Sequence, residues 1–165
     1  MNRYASTALL ALASILLPAC PSSFPSPDPP AFSAFLERMD SAQRELQNGN
    51  PGPYKALWSH ADDVTLIGGF GGKVEKGWLA VSERLDWAAS QFSQGRNTIE
   101  RLQVQTSGAL GYVVQREQIR FVVPGETRES ARSYRVTIVC RRERNEWRIV
   151  HRHADVQTTR QPPRQ

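Results

Sequence analysis

The chain is poor in cysteine. Only Cys20 and Cys140 occur among its 165 residues, which excludes a small fold held together by a disulfide framework. A bridge between these two would have to reach across a flexible N-terminal segment, so we predict that Cys140 is a buried thiol on a strand. The fold must then depend on an apolar core, and about 135 residues can supply one as a single domain.

The chain also lacks an apolar run long enough to span a membrane, for which about 20 residues are needed. Its N-terminal apolar stretch runs only from Ala8 to Leu17, after a positive start at Arg3. This pattern is typical of a secretory signal peptide, which we place at residues 1–19, with a plain N-terminal membrane anchor as the alternative. We therefore expect export to the periplasm or cell envelope.

The segment Leu17-Pro18-Ala19-Cys20 places a small residue directly before a cysteine. It resembles a bacterial lipobox, in which the cysteine becomes the lipidated first residue and tethers the protein to a membrane. Lipidation of Cys20 and ordinary cleavage both remain open. Residues 20–30 are mostly Pro and Ser and predict an extended tether, whereas the polar residues 157–165 predict a disordered tail. These limits leave one domain at residues 31–156.

The chain also lacks a strong excess of charge of one sign. The chain carries 21 basic and 16 acidic residues, which gives a net charge of +5. The arginines are spread through strand-like segments with glutamates between them, as on a solvated sheet face with ion pairs. A nucleic-acid-binding stripe would need clustered basic residues, so we expect no nucleic-acid partner.

Apolar periodicity divides the domain into helices followed by strands. Residues Phe32, Phe35, Met39, Ala42 and Leu46 lie on one helical face and predict a first helix. Further helices are predicted at residues 54–59 and 77–93, and strands at residues 64–67, 99–105, 109–123, 130–142 and 147–155. This order predicts an α+β fold, a cone-shaped roll of three N-terminal helices packed on a strongly curved antiparallel sheet.

Short motifs, placed along the predicted order of helices and strands, carry a resemblance to a known family. They are Trp58-Ser59, Asp63-Val64-Thr65-Leu66, Gly77-Trp78, Glu117 within a strand, Arg135-Val136-Thr137 and the run from Trp147 to Asp155. Residues 31–156 resemble the nuclear transport factor 2-like superfamily, and more narrowly its SnoaL-like branch of ketosteroid isomerase relatives. The resemblance implies a pocket between the helices and the concave sheet, and a homodimer formed through the sheet.

The resemblance implies no single activity, because its members include isomerases, cyclases, dehydratases, epoxide hydrolases and non-catalytic binding modules. The tyrosine donor and paired aspartates of ketosteroid isomerase have no matching motif positions in this chain. Steroid isomerisation is therefore not carried over.

The last predicted strand carries the candidate chemistry. Strict alternation places Trp147, Ile149, His151, His153 and Asp155 on one face, which we expect to line the pocket. Either histidine could then act as a general acid or base near neutral pH, with Asp155 or Glu117 fixing its tautomer. The alternative is that both histidines are hydrogen-bonded wall or interface residues that transfer no proton.

Glu117 shares a strand face with apolar residues, where a bare charge would be expensive to bury. Arg135 is the partner we expect, either in a structural ion pair or as an anion-binding group beside an acid/base carboxylate. The spacing of His151 and His153 also occurs in metal sites, with Glu117, His60 or Asp62 as a third ligand. A helix end and turn at His60 to Asp62 is the commoner outcome, and we expect no metal and no other cofactor.

Aromatic residues complete the expected pocket. The glycine-rich segment 68–72 is no phosphate-binding loop, because Lys73 is followed by Val74 instead of Ser or Thr. We predict a flexible loop at the pocket mouth with Phe70 as its lid, and Trp58 and Trp87 as further ligand contacts.

The leading hypothesis is thus an exported domain that binds a small apolar or amphipathic molecule. It could be a cofactor-free acid/base enzyme of isomerase, hydratase or cyclase type. The alternative is a non-catalytic binding or dimerisation module of the cell envelope.

Overall fold

The computed structural model of the protein describes residues 29–159. The predicted signal peptide, the lipidation site at Cys20 and most of the tether and tail therefore lie outside the described residues. Within the described range, none of the helices combines the length and the apolar character that a membrane crossing requires.

Within residues 29–159, three helices precede most of the sheet. They are α1 (Pro29–Leu46), α2 (Gly52–Lys55) and α3 (Trp78–Ala89). The apolar stripe of α1 from Phe32 to Leu46 is buried, as its spacing predicts. The chain turns away after α1 at Gly49, which adopts a φ of 86°.

Six strands of the described range form one sheet. They are β1 (Thr65–Ile67), β2 (Glu75–Lys76), β3 (Ser93–Ser107), β4 (Leu110–Val122), β5 (Glu129–Glu143) and β6 (Glu146–Val156), in the order β2-β1-β6-β5-β4-β3. All pairs are antiparallel except β1 with β6, which is parallel. The predicted α+β architecture is confirmed, while α3 ends earlier and β3 begins earlier than predicted.

The helices cover one face of the sheet, here called the inner face. Side chains alternate along the long strands, so that Val113, Ile119 and Phe121 of β4 and Val136 and Ile138 of β5 point into the core. Cys140 is also fully buried on this face, as predicted, and burial raises the pKa of its thiol to about 12.

A β-bulge interrupts the alternation of β6. Val139 of β5 pairs with His151, but the next residue, Cys140, pairs with Ile149, so Val150 is an extra residue on β6. Trp147 and Ile149 before the bulge point inward. After the bulge the inward positions pass to the even-numbered residues, beginning with Arg152.

Candidate functional site

The expected sharing of one face by Trp147 and the two histidines is wrong, because the bulge at Val150 reverses the alternation between them. His151 and His153 lie on the outer face of the sheet. His151 Nδ1 is 2.8 Å from Thr65 Oγ1 on β1. Partial burial, and next the charge of His153, lower the pKa of His151, while His153 is exposed.

Asp155 and Arg135 also lie on the outer face, paired with one another. Arg135 Nε donates to Asp155 Oδ1 at 3.1 Å, and the two side chains form a forked ion pair. The hydrogen bond from Arg135 lowers the pKa of the Asp155 carboxyl. The expected pairings of Arg135 with Glu117 and of Asp155 with a histidine are therefore wrong, since these groups face different sides or different partners.

A metal site would need at least three His, Cys, Asp or Glu side chains close together. No such group occurs in the part of the chain that is described. The His60 ring stacks on Trp78 with centroids 4.0 Å apart. Glu117 lies on the inner face, across the sheet from both C-terminal histidines.

Glu117 itself is 0% exposed and accepts three hydrogen bonds. Gln43 Nε2 and Gln115 Nε2 each donate from 2.7 Å, and Arg152 Nη2 donates from 2.8 Å. Such contacts compensate for the loss of water around a buried charge. The predicted buried ion pair exists, but its partner is Arg152 instead of Arg135.

The polar network extends from Glu117 to the surface of α1. Arg101 donates to Gln115 Oε1 and, from 2.7 Å, to the Asp40 carboxylate. Burial raises the pKa of Asp40, against the opposing charge of Arg101. Every inward charge in this chain of contacts is thus matched by an opposite one.

A cavity of about 70 Å³ lies beside this network, between the helices and the sheet. Its apolar wall includes Leu46, Leu66, Leu85, Phe92 and Ile119. Ala88 of α3 and Phe70 of the glycine-rich loop complete that wall. Arg152 and Gln43 also line the cavity, and both donate hydrogen bonds to Glu117.

Four buried side-chain polar atoms, all in residues that line the cavity, have no hydrogen-bond partner within residues 29–159. They are Gln43 Oε1, Gln47 Oε1, Tyr54 Oη and Tyr134 Oη. Their residues are between 1 and 4% exposed. An unsatisfied buried polar group costs about 1–3 kcal/mol, so the presence of four such atoms in residues that line one cavity needs an explanation.

Both cavity tyrosines keep their protons at neutral pH. Burial raises the pKa of Tyr54 and of Tyr134. Arg152 beside Tyr54 and Arg132 beside Tyr134 oppose this shift without reaching hydrogen-bond geometry. Each phenol therefore keeps its O–H as a hydrogen-bond donor at neutral pH.

Phe70 lines the cavity at the place where a second concavity adjoins it, here called the mouth. Its ring packs edge-on against Trp87, with centroids 5.3 Å apart, and Arg132 lies over the ring at 4.4 Å. Gly69 next to it must lack a side chain, because a Cβ would lie 2.4 Å from the Tyr134 ring. The loop thereby reaches the inner face of β5.

Of the three aromatic residues predicted to contact a ligand, only Phe70 lies in the cavity wall. Phe70 lines it, Trp87 lies outside it with 42% of its surface exposed, and Trp58 is buried in the core away from it. A ligand-binding role of these three and of Arg135 stays a prediction, as does catalysis by Glu117, His151, His153 and Asp155. A substrate of the last three would have to bind on the outer face.

Two of the cavity residues that the sequence interpretation missed could have been predicted from the helical spacing. Gln43 and Gln47 continue the buried face of α1 by helical spacing from Met39, and a glutamine on such a face needs a polar neighbour. Arg152 left no such signal, since strict alternation places it on the outer face.

Comparison with known proteins supports the family resemblance. A family model for the SnoaL-like domain matches residues 36–157. Among curated proteins, none matches the chain.

Solved structures share the fold at low identity. A Thiobacillus denitrificans protein, provisionally assigned as a calcium/calmodulin-dependent protein kinase type II association domain, is 20% identical with a TM-score of 0.63, covering 82% of this chain and 98% of its own. A Streptomyces avermitilis protein of the NTF2-like family, provisionally assigned as a dehydratase, is 16% identical with a TM-score of 0.64. The match covers 77% of this chain and 99% of the Streptomyces protein. A ketosteroid isomerase-like protein from Erwinia carotovora atroseptica is 16% identical with a TM-score of 0.59. The match covers 79% of this chain and 93% of the Erwinia protein.

Proposed function

Because the chain belongs to the SnoaL-like domain family, we propose that it binds a small, largely apolar molecule in the cavity between its helices and its sheet. The fold has isomerase and dehydratase members, but likeness at this identity carries the fold alone. The proposal therefore depends on the cavity's own side chains.

One observation carries the proposal. The unpartnered atoms of Gln43, Gln47, Tyr54 and Tyr134 all belong to residues that line the same apolar cavity. A few convergent polar groups in a largely apolar wall are typical of a small-molecule site. A ligand with a hydroxyl or amide group could satisfy the glutamine oxygens as a donor and the phenols as an acceptor.

The same groups define the chemistry that the cavity could support. The protonated phenols of Tyr54 and Tyr134, with the Arg152 guanidinium nearby, could stabilise negative charge that develops on a ligand carbonyl oxygen. Both Glu117 oxygens are already hydrogen-bonded, so a ligand could reach this carboxylate only by displacing one of its partners. Acid/base catalysis of isomerase, hydratase or cyclase type in this cavity would thus begin with the tyrosines.

The binding site can be tested by filling it. Ala88→Leu adds bulk to the cavity wall, while Ala80→Leu makes the same change on the same helix away from it. We expect saturable binding of p-cresol to the wild-type protein and to Ala80→Leu in an NMR titration. Binding to Ala88→Leu should be at least about tenfold weaker. Equal binding by the two variants would contradict the proposal.

Export and attachment through Cys20 form part of the proposal. The intact mass of the mature protein from its own host, compared with a Cys20→Ser variant, tests both. A lipid-sized mass increment that disappears in the variant is expected, while retention of residues 1–19 would contradict export.

The outer face supports a second candidate function, homodimerisation. Leu110 and Tyr112 of β4 lie there with 53% and 39% of their surfaces exposed, and contiguous exposed apolar side chains are typical of an interface. Tyr112→Glu should shift the protein from dimer to monomer in analytical ultracentrifugation. Leu79→Glu, at an exposed position of α3, should leave the mass unchanged, and a wild-type monomer would contradict the candidate.

A further inference from the structure

A second concavity of about 550 Å³ adjoins the cavity at Phe70. We call it the groove, and its wall includes Trp87, Gln91, Phe121, Arg128, Glu129 and Arg132. Phe70 belongs to the walls of both spaces. A ligand longer than the cavity could therefore extend past Phe70 into the groove.

The groove and the mouth carry excess positive charge. Arg84, Arg128 and Arg132 form no ion pair within the described residues. Glu129, the one carboxylate of the groove wall, is already paired with two other arginines, at 2.5 Å from Arg96 and 2.9 Å from Arg120. Three guanidinium groups thus remain without a matching carboxylate.

Two of these guanidinium groups lie over the aromatic pair at the mouth. Arg84 lies 4.0 Å from the Trp87 ring centroid and Arg132 lies 4.4 Å from that of Phe70. A cation–π contact places the positive charge over the ring, and the five N–H donors of a guanidinium can still serve other partners. Arg84 uses one of them on the Gly71 carbonyl at 2.9 Å, whereas Arg132 lies beside the Tyr134 hydroxyl.

We propose that the ligand is a small amphipathic organic anion. Its apolar, hydroxyl-bearing body occupies the cavity, and its carboxylate lies past Phe70 at Arg132 and Arg128. This inference depends on the proposed binding function and names the ligand class. The deep guanidinium of Arg152 is already committed to Glu117, so the anionic group is recognised at the mouth, where a fork of N–H donors fits a carboxylate.

Four matched molecules separate the two parts of this proposal. They are 4-hydroxyphenylacetate, 4-hydroxyphenylacetamide, phenylacetate and phenylacetamide, which differ only in charge and in the ring hydroxyl. Dissociation constants are measured by NMR titration with the full chain at low salt. Each acid should bind about tenfold more tightly than its amide, and each hydroxylated molecule a few-fold more tightly than its parent.

Arginine variants then locate the charge effect. Arg132→Gln should weaken the acids about tenfold and leave the amides within about twofold, and Arg128→Gln should act in the same direction. Arg116→Gln removes the same charge from the outer face of β4 and should change neither. Retained binding of the amides shows that each variant is folded.

The outcomes distinguish the inference from the function on which it depends. Equal binding of acids and amides that Ala88→Leu abolishes would overturn the inference and leave the cavity proposal standing. A preference for acids that survives both Arg132→Gln and Arg128→Gln would also overturn it. The absence of saturable binding by all four molecules would overturn both.

Discussion

The Glu117 carboxylate and the Arg152 guanidinium lie 2.8 Å apart inside the fold, although their strands β4 and β6 are separated by β5. The bulge at Val150 makes this possible, because it turns Arg152 toward the inner face. Without the extra residue, His151 and His153 would point inward and Arg152 outward. One residue on β6 therefore decides which charged groups reach the core.

Removing one member of the Glu117–Arg152 ion pair should lower the free energy of unfolding substantially. Arg152→Met leaves the fully buried Glu117 without its cation, and removal of one partner of a buried pair typically costs about 3–5 kcal/mol. Urea unfolding should show that loss. The double variant Glu117→Gln/Arg152→Met should lose less than the sum of the single changes, because it leaves no uncompensated charge.

The pair of Arg135 and Asp155 on the outer face supplies the control. Its members are solvent-exposed, and exposed ion pairs contribute little to stability. Arg135→Met should leave the urea midpoint nearly unchanged. A loss as large as that of Arg152→Met would contradict the assignment of Arg152 to the core.

His151 should make stability depend on pH. Its pKa is lowered in the folded protein, so the unfolded chain takes up a proton first as the pH falls through about 6.5. Stability is then lost between the unfolded pKa and the lower folded pKa. The free energy of unfolding should fall less between about pH 7.5 and about pH 5 in His151→Asn than in the wild-type protein. An equal fall in both would show that His151 carries none of this dependence.

Two adjacent glycines should respond differently to the same substitution. Gly69→Ala would place a Cβ 2.4 Å from the Tyr134 ring, whereas at Gly68 the nearest atom, Arg84 Nε, is 3.4 Å away. We expect Gly69→Ala to cost about 1–3 kcal/mol through overpacking and Gly68→Ala to change stability by less than about 1 kcal/mol. Urea unfolding measures both. Similar effects would place the loop away from Tyr134.

The Tyr134 hydroxyl should affect stability and binding in opposite directions. Tyr134→Phe removes a buried polar atom that lacks a partner, so the ligand-free protein should be as stable or up to about 2 kcal/mol more stable. Binding of p-cresol should weaken roughly three- to tenfold, because one hydrogen bond is lost. Tyr112→Phe on the outer face should change neither quantity. A variant that loses stability and keeps its affinity would give the hydroxyl a structural role.

The overall fold was predictable because it is specified by periodicity over many residues. The helical spacing from Phe32 to Leu46 and the alternation along β4 and β5 both survive in the structure. Errors of a few residues at the ends of α3 and β3 do not alter which faces are buried. The α+β class follows from these long patterns.

The site was less predictable because it depends on a single backbone irregularity. Val150 looks like an ordinary strand residue, and no turn residue marks the bulge. Strict alternation therefore assigned His151, His153 and Asp155 to the wrong face. Gln43 was within reach of sequence reasoning, since it lies on the buried stripe of α1, but its partner Glu117 is 74 residues away along the chain.

The location of a bound molecule tests the central claim most directly. Isotope-filtered NOE spectra of p-cresol with ¹³C-labelled protein should show contacts to the side chains of Leu85 and Ile119, which line the cavity. Contacts confined to Leu110 and Val139, which lie on the outer face, would contradict the assignment of the cavity as the binding site.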